Sequence, residues 1–278
     1  MPAWDASLVA AAAARLRLAV DARRRQGSGA RLGRGPGASL EFHDHRAYEA
    51  GDDLRHLDWA VYARTDQLVL RRHRQEVSPR LEVIVDGTAS MAVVPGKLAL
   101  ACQLAALLAT LAEADGVRPR VWWSGARVQH VDAGWRQFLS SSESAGSGGL
   151  EAVIGPLLPG SERILISDGL CPGGGAAVVR RLASGSGRCC LLQILSAEEL
   201  APTCRGMLRL EDVEGGSADH QVDAASVTAY RARLARHQEE WRAALAGRGA
   251  GVVGLRAEES LPAAVQRLLA AGVVEVGR

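Results

Sequence analysis

The amino-acid sequence predicts an α/β protein with a doubly wound, mainly parallel sheet, preceded by an N-terminal helix and a polar insert that pack against it. Short β-branched runs alternate with helical segments from Leu81 onward, a pattern typical of a parallel sheet with helices on both faces. Residues 41–74, by contrast, are densely polar and have little apolar periodicity. The composition, 47% hydrophobic and 23% charged, is that of an ordinary globular chain and excludes a disordered protein.

The segment before the α/β domain has three parts. Residues 5–26 are rich in Ala, Leu and Arg and predict a helix. A Gly- and Arg-rich loop follows at 27–37, and the polar insert comes after it. We therefore assign the helix, the loop and the insert to residues 1–77, and the α/β domain to residues 78–278.

The α/β domain is predicted as a series of alternating strands and helices. Apolar and β-branched runs predict strands at 81–85, 120–123, 127–131, 163–166, 189–195 and 251–255. Longer amphipathic or apolar segments predict helices at 96–114, 150–158, 175–183, 224–246 and 261–270. The sequence has no internal repeat, and the glycine clusters between these elements are too short to separate further domains.

The charge balance argues against a protein whose whole surface binds nucleic acid. The chain has 33 basic and 31 acidic residues, so its net charge is only +2, whereas nucleic-acid binders are usually far more basic. Lys97 is the sole lysine, which leaves 32 Arg among the 33 basic residues. Codon bias in a GC-rich genome explains such an excess. The alternative is that some Arg side chains form fixed pairs that Lys cannot replace.

The cysteines and the apolar stretches indicate a cytoplasmic protein without a membrane span. The five cysteines have no C-x-x-C pair and no zinc-type spacing, so we expect buried free thiols in a reducing compartment. The N-terminus has Asp5 and no early basic residue, unlike a secretory signal. The longest apolar stretch, residues 98–112, is shorter than a transmembrane helix requires.

Two predicted strands end in carboxylates, which predicts a metal site at one edge of the sheet. Asp86 follows the strand at 81–85, with the hydroxyls of Thr88 and Ser90 close behind, and Asp168 follows the strand at 163–166. The carboxyl ends of parallel strands meet at the same edge, where ligands bind. Oxygen ligands of this kind suit Mg²⁺, Mn²⁺ or Ca²⁺ better than zinc. The alternative is that both carboxylates only cap the loop or helix that follows.

The turn Asp86-x-Thr88-x-Ser90 resembles the D-x-S-x-S metal-ion-dependent adhesion site of von Willebrand factor A domains. A narrower resemblance, to the von Willebrand factor A-like family catalogued as domain of unknown function 58, is carried by the runs Glu41 to Tyr48, Gly51 to Trp59, Ala63 to Thr65 and Leu208 to Gly215, and by Tyr230. It covers nearly the whole chain, and the Tyr-x-x-Gly-Asp-Asp-x-Arg-x-x-Asp-Trp pattern is its most specific part.

The resemblance implies a non-enzymatic interaction module or adaptor in which the metal keeps an open position for an acidic side chain of a partner. It also implies a MoxR-type AAA+ ATPase as that partner. The sequence departs from the family pattern in two places: Thr88 replaces the usual Ser, and the Thr that normally supplies a further ligand is absent, so that Ser147 is the best substitute by position. These departures leave open a scaffold with a degenerate metal site and no bound metal.

The insert carries the most specific motif and needs an explanation of its own. We interpret it as a network of Arg–carboxylate pairs with aromatic residues that fixes the insert to the α/β domain. Its members are Arg46, Tyr48, Asp52, Asp53, Arg55, Asp58, Trp59 and Arg64. The alternative is a metal-dependent hydrolase that uses Asp52, Asp53 and Asp58, with His43, His45 and His56 as nearby ligands.

If the Arg residues of the insert form bidentate pairs, replacing Arg46, Arg55 and Arg64 by Lys should destabilise the insert or displace it, because Lys lacks the planar fork. The same replacement at the Arg residues of the helix at 224–246, which we expect on a solvated face, should have little effect. Thermal melts check this prediction. If both sets of replacements lower the melting temperature equally little, the Arg excess reflects composition alone.

Overall fold

The computed structural model describes residues 4–19, 40–49, 52–54, 57–75, 80–141, 150, 157–171, 175–212, 215–247, 249 and 251–277. The chain forms two compact units. The large unit consists of Met1–Ala19 together with Pro79–Arg278, and the small unit is Val20–Ser78.

The described residues contain strands and helices in alternation. The strands are β1 Leu16–Leu18, β2 Leu40–Ala47, β3 Val69–Gln75, β4 Arg80–Asp86, β5 Arg118–Ser124, β6 Val128–Val131, β7 Glu162–Ser167, β8 Cys189–Leu195, β9 Gly206–Glu211, β10 Ser217–Val222, β11 Gly251–Arg256 and β12 Val274–Val276. The helices are α1 Ala6–Ala13, α2 Trp59–Thr65, α3 Ala89–Val93, α4 Lys97–Ala114, α5 Trp135–Ser141, α6 Gly175–Ala183, α7 Ala197–Leu200, α8 Ala224–Leu245 and α9 Leu261–Ala270.

A six-stranded, mostly parallel sheet flanked by helices forms the centre of the large unit. Its strand order is β11-β8-β7-β4-β5-β6, and only the edge strand β6 runs antiparallel to its neighbour. The inner strands are buried almost throughout: every residue of β8 and all but the first of β4 are inaccessible. Continuous burial of this kind is expected where helices cover both faces of a parallel sheet. The predicted α/β class and the predicted strands of this sheet are therefore confirmed.

Helix α4 is the main apolar element on one face of the sheet. It packs against β4, β5 and α1, and most of its side chains are fully buried. Within the described residues it is the one helix whose length and composition would suffice to cross a membrane, although 72% of it is buried inside the large unit. Such burial is what the core helix of an α/β sheet requires.

The N-terminal helix is shorter than the predicted range of 5–26. Asp5 accepts hydrogen bonds from the backbone N–H groups of Ser7 and Leu8 and so caps α1, but the helix ends at Ala13. The chain then forms β1, which pairs antiparallel with β12. This segment, grouped by sequence with residues 1–77, belongs to the large unit in the structure. Residues 20–26 lie outside the described part of the chain.

Two segments need separate comment. Residues 208–211 lie in an antiparallel hairpin, β9–β10, for which no strand was predicted, because most of its residues are exposed and show no apolar periodicity. The predicted helix at 150–158 falls mostly outside the described residues, and its last two residues are not helical.

The small unit is a hairpin with a short helix. Strands β2 and β3 pair antiparallel, with an irregularity between Phe42 and Asp44. Asp58 caps α2 by accepting from the backbone N–H groups of Ala60 and Val61. Leu57 and Leu70 pair as an isolated bridge, and both side chains are buried. The polar insert is therefore built on regular secondary structure.

The five cysteines are all free thiols, but they differ in exposure. Cys102, Cys189 and Cys190 are buried as expected, whereas Cys171 is half-buried and Cys204 is exposed, so the expectation of burial was wrong for Cys204. Burial raises the pKa of the Cys102 thiol to about 12. Burial, with the charge of Cys189, raises the pKa of Cys190 to about 12 as well.

These differences predict selective alkylation, because the thiolate is the reactive form and needs access to the reagent. In native protein at pH 8, iodoacetamide should modify Cys204 rapidly and leave Cys102 and Cys190 unmodified. All five should react once the protein is unfolded in urea. Mass spectrometry of tryptic peptides reads the modified positions, and Cys204→Ser should remove the rapid phase. Rapid native modification of Cys102 would contradict the buried position of α4.

Candidate functional site

The candidate site lies at the carboxyl edge of the central sheet, between β4 and β7. Asp86 ends β4 and Asp168 follows β7, and these strands are parallel neighbours, with Val85 opposite Ile166. From β4 the chain first builds β5 and β6 on one side and then β7, β8 and β11 on the other. The strand order therefore reverses between β4 and β7, and in open α/β sheets ligands bind at this reversal.

The turn after β4 gathers three side-chain oxygens. Asp86 Oδ1 accepts from the Thr88 backbone N–H at 3.0 Å and from Thr88 Oγ1 at 2.7 Å. Thr88 Oγ1 lies 3.1 Å from Ser90 Oγ. The turn also requires Gly87, because a Cβ there would lie 2.2 Å from the indole of Trp123. The Asp86, Thr88 and Ser90 positions predicted from sequence are thus brought together, and we call them the rim turn.

Ser167 links the two strand ends and was missed by the sequence reasoning. Its Oγ donates to Asp86 Oδ2 at 2.6 Å and accepts from the Gly169 backbone N–H at 2.9 Å. Ser167 therefore orients the second oxygen of Asp86 from the neighbouring strand. Its position directly before Asp168 was the available signal, since both residues occupy the end of the same strand.

Asp86 is almost fully buried, at 4% exposure. Burial raises the pKa of Asp86 above its usual value, and the charge of Asp168 adds to this rise, although hydrogen bonds from Ser167 and Thr88 oppose it. A carboxyl whose folded pKa is raised stabilises the fold while protonated, and that contribution is lost as pH increases through the raised value. The ionised carboxylate therefore lies in an unfavourable environment that a nearby cation improves.

Lys97, the sole lysine of the chain, lies fully buried beside the second carboxylate. Its Nζ is 3.1 Å from Asp168 Oδ2 and 2.7 Å from Glu199 Oε1, and it also reaches the Ser90 carbonyl oxygen at 3.4 Å. The other oxygen of Asp168 accepts from the Leu170 backbone N–H at 2.9 Å. Both oxygens of Asp168 are thus engaged within the protein.

Lys97 and Glu199 were also missed from the sequence. Lys97 begins α4, one residue after Gly96 in the left-handed conformation, where a side chain would meet the Ala257 carbonyl oxygen at 2.9 Å. Residues 95–97 (Pro-Gly-Lys) resemble a phosphate-binding loop only superficially, because no Ser or Thr follows the lysine. The lysine has a structural use instead. The available signal was a solitary Lys in a chain that otherwise uses Arg.

Glu199 is held by a helix cap and by a tyrosine. It forms a capping box with Ser196 at the start of α7, with both reciprocal hydrogen bonds present. The Tyr230 hydroxyl, on α8, donates to the Glu199 carbonyl oxygen at 2.7 Å. Tyr230, which carries part of the family resemblance, therefore fixes the segment that supplies the second partner of Lys97.

Side chains on β8 and α8 form hydrogen bonds to the backbone of the loop that follows β7. Gln193 Nε2 donates to the Asp168 carbonyl oxygen at 2.9 Å, and the Gly169 carbonyl oxygen lies 2.7 Å from His237 Nε2. Trp241 Nε1 donates to the same carbonyl at 3.1 Å. These contacts hold Asp168 in place by its backbone, independently of its side chain.

The rim turn offers oxygens of the type that bind a small divalent cation, one carboxylate and two hydroxyls. Asp86 Oδ1 and Thr88 Oγ1 stand 2.7 Å apart, and Thr88 Oγ1 and Ser90 Oγ stand 3.1 Å apart, because these groups are hydrogen-bonded to one another. A bound ion would replace those hydrogen bonds. Asp168 fits less well, because Lys97 already occupies it. Ser147 lies outside the described residues. Among those that are described, no group of three or more His, Cys, Asp or Glu residues could hold a metal.

The carboxylates of the small unit have separate partners. Arg46 Nη2 contacts Asp52 Oδ1 at 2.7 Å, while Arg46 Nη1 faces Glu49 at 3.6 Å. The backbone N–H of Glu49, followed by Arg46, lowers the pKa of Asp52. Asp58 is buried and caps α2, whereas Asp53 is exposed. The Arg46 contact is therefore made through one nitrogen to each carboxylate and lacks the bidentate geometry expected from sequence.

Some of the remaining residues predicted for the network form contacts other than Arg–carboxylate pairs. The others lie outside the described residues. Arg64 Nε donates to the Ala60 carbonyl oxygen at 3.1 Å, a contact within its own helix. Trp59 is exposed and meets Tyr62 edge to face, and Tyr48 donates its backbone N–H to the Leu68 carbonyl. Arg55 and His56 lie outside the described residues, as do the side chains of His43 and His45.

A family model described as "Protein of unknown function DUF58" matches residues 44–134. The matched segment contains the insert motif from residue 44 onward, the rim turn and Lys97. It therefore supports the resemblance to domain of unknown function 58 on the insert motif, whereas the run at 208–215 and Tyr230 lie outside the match. It says nothing of the von Willebrand factor A likeness.

Similar proteins are uncharacterised. The chain is 26% identical over 265 residues to "Uncharacterized protein Rv1480" of Mycobacterium tuberculosis and to "Uncharacterized protein Mb1516" of Mycobacterium bovis, covering 87% of this chain and 82% of each relative. Two solved structures, BatB from Bacteroides thetaiotaomicron and an aerotolerance-related membrane protein from Bacteroides fragilis, share 16% and 17% identity, each covering 69% of this chain and 98% of its own at a TM-score of 0.39.

The Ser167 contact yields a stability prediction. Ser167→Ala leaves Asp86 Oδ2, which is buried, without its side-chain donor, and such a loss costs about 1–3 kcal/mol of unfolding free energy. Urea denaturation followed by circular dichroism measures it. The control is Thr228→Ala, which removes an exposed hydroxyl that bonds only to its own helix backbone and should change stability by less than about 0.5 kcal/mol. Similar stabilities for the two variants would show that Ser167 does not support Asp86.

Proposed function

We propose that this chain is a non-enzymatic protein-interaction module or adaptor whose binding site is the carboxyl edge of the sheet, with a divalent cation on the rim turn. One observation carries the proposal: Asp86, Thr88 and Ser90 gather one carboxylate and two hydroxyl oxygens in a single turn where the strand order reverses. The same turn, on a sheet of this order, supports the finer assignment to a von Willebrand factor A-like fold.

The cation, Mg²⁺ or alternatively Mn²⁺ or Ca²⁺, would supply an open coordination position for an acidic side chain of a partner. Neighbouring residues of the chain hold the oxygens of the rim turn in place for such an ion. Ser167 orients Asp86 from the neighbouring strand, and the Trp123 indole against Gly87 keeps the turn compact. The hydroxyls of Thr88 and Ser90 complete the protein ligands.

The proposed partner is a MoxR-type AAA+ ATPase, as the resemblance to domain of unknown function 58 implies, with the complex in the cytoplasm. The near-neutral net charge of +2 supports a protein partner over nucleic acid. The packing of α4 against the sheet supports a role for this apolar helix in the core without a membrane span.

The alternative of a metal-dependent hydrolase built on Asp52, Asp53 and Asp58 has weaker support. Asp58 serves as a helix cap and Asp52 as the partner of Arg46, so two of its three carboxylates already have structural uses. The alternative of a scaffold with a degenerate metal site is favoured by one observation, the occupation of Asp168 by Lys97.

Calorimetric titration tests the metal. Wild-type protein should bind Mg²⁺ or Mn²⁺, and Asp86→Ala should weaken that binding by about tenfold or more because it removes the charged ligand of the turn. The matched control is Asp132→Ala, which removes a surface carboxylate paired with Arg120. Binding that is unchanged in Asp86→Ala would place the metal elsewhere.

Affinity capture tests the partner. Tagged wild-type protein should retain a MoxR-type ATPase, identified by mass spectrometry, in the presence of Mg²⁺, and should lose it with a chelator or in Asp86→Ala. Purified ATPase should then reproduce the metal dependence in a binding assay. Equal retention with chelator present would favour the scaffold without a metal.

A further inference from the structure

Lys97 is the feature of this site that the proposed function leaves unexplained. Its side chain has no exposure, and Asp168 has only 2%. A buried ammonium must find partners for all of its donors, since an unpaired buried charge is strongly destabilising. Lys97 Nζ has three donors and three acceptors within reach: Asp168 Oδ2, Glu199 Oε1 and the Ser90 carbonyl oxygen.

We infer that Lys97 is a built-in cation of the rim, which holds Asp168 as an ion pair, keeps it from coordinating a divalent metal, and thereby limits how tightly such a metal binds the rim turn. The inference rests on the site of the proposed function and concerns how that site is regulated from within the chain. Its premise is geometric: the ammonium is anchored at the start of α4 and contacts the carboxylate that the second strand supplies.

The identity of the residue supports this role. The chain uses Arg at 32 of its 33 basic positions, so a Lys here departs from its own compositional bias. A compact ammonium can direct its donors to three separate acceptors on three segments, whereas the planar guanidinium of Arg matches paired oxygens in one plane. The single Lys of the chain thus stands where three acceptors from three segments surround one nitrogen.

The location of the charge explains its effect on a metal. Lys97 Nζ also contacts the carbonyl of Ser90, the last residue of the rim turn, so a cation on that turn would approach a fixed positive charge. The repulsion between like charges is strengthened by burial, and the side chain of Lys97 is fully buried. With Asp168 already neutralised, the metal would depend on Asp86 and the two hydroxyls, and its affinity would be low.

Calorimetric titration of Mn²⁺ at pH 7 tests the inference with four proteins: wild type, Lys97→Met, Asp168→Asn and the double variant. Removing the ammonium should tighten Mn²⁺ binding by about tenfold or more, since it frees Asp168 and removes the repulsion. Asp168→Asn in the presence of Lys97 should not tighten Mn²⁺ binding, because the ammonium remains and has lost one of its two carboxylate partners. In the double variant most of the gain should disappear, because the gain requires Asp168.

The outcomes separate this inference from the proposed function. If wild type binds Mn²⁺ and Lys97→Met binds no tighter, the inference fails and the proposed metal contact stands. If Lys97→Met binds Mn²⁺ and wild type does not, the inference stands, and the proposed binding of a divalent cation to the rim turn fails for the natural chain. Circular dichroism first checks that each variant folds. Should Lys97→Met not fold, Lys97→Gln, which keeps hydrogen-bond donors and removes the charge, takes its place in the same comparison. Mn²⁺ binding no tighter than in wild type would then overturn the inference.

Discussion

A buried ammonium joins three separate segments of the large unit, and the candidate site depends on it. Lys97 opens α4, Asp168 follows β7 and Glu199 belongs to α7, so one charge fixes where a core helix begins relative to two loops at the edge of the sheet. Removing one partner from a buried ion pair costs about 3–5 kcal/mol, because the charge left behind is uncompensated. This interaction constrains the edge far more strongly than any surface ion pair of the chain.

The surroundings of Asp168 are built to keep that charge in place. Gln193 holds the Asp168 carbonyl, and His237 and Trp241 hold the next one, on Gly169. The backbone of the loop is therefore fixed by neutral hydrogen bonds, and the carboxylate can be used entirely for Lys97 and the Leu170 amide. The position of Asp168 is therefore fixed twice, through the backbone of its loop and through its side chain.

The sequence predicted the sheet and the meeting of Asp86 with Asp168, because alternation of strands and helices and the carboxyl-end rule are local patterns with strong topological consequences. It could not predict β1, whose partner β12 lies at the opposite end of the chain: an Ala- and Leu-rich run favours a helix until a distant strand competes for it. The ion pair of Lys97 and Glu199 was not predicted for the same reason, because it joins segments that are remote in sequence. Ser167, adjacent to Asp168, was within reach of sequence reasoning.

The two carboxylates of the site differ in whether their partners are neutral or charged. This difference indicates which group of a partner protein the site would attract. Asp86 is supported by neutral donors, the hydroxyls of Thr88 and Ser167, which orient its charge without cancelling it. Asp168 is balanced by Lys97, and Glu199, at 23% side-chain exposure, is partly screened by solvent. A divalent ion on the rim turn would therefore meet one carboxylate whose charge no protein cation balances, and would retain positive charge. An acidic side chain of a partner is the group that such a residual charge would favour. An internal ion pair that weakened metal binding would therefore also make a bound metal a better contact for an acidic partner.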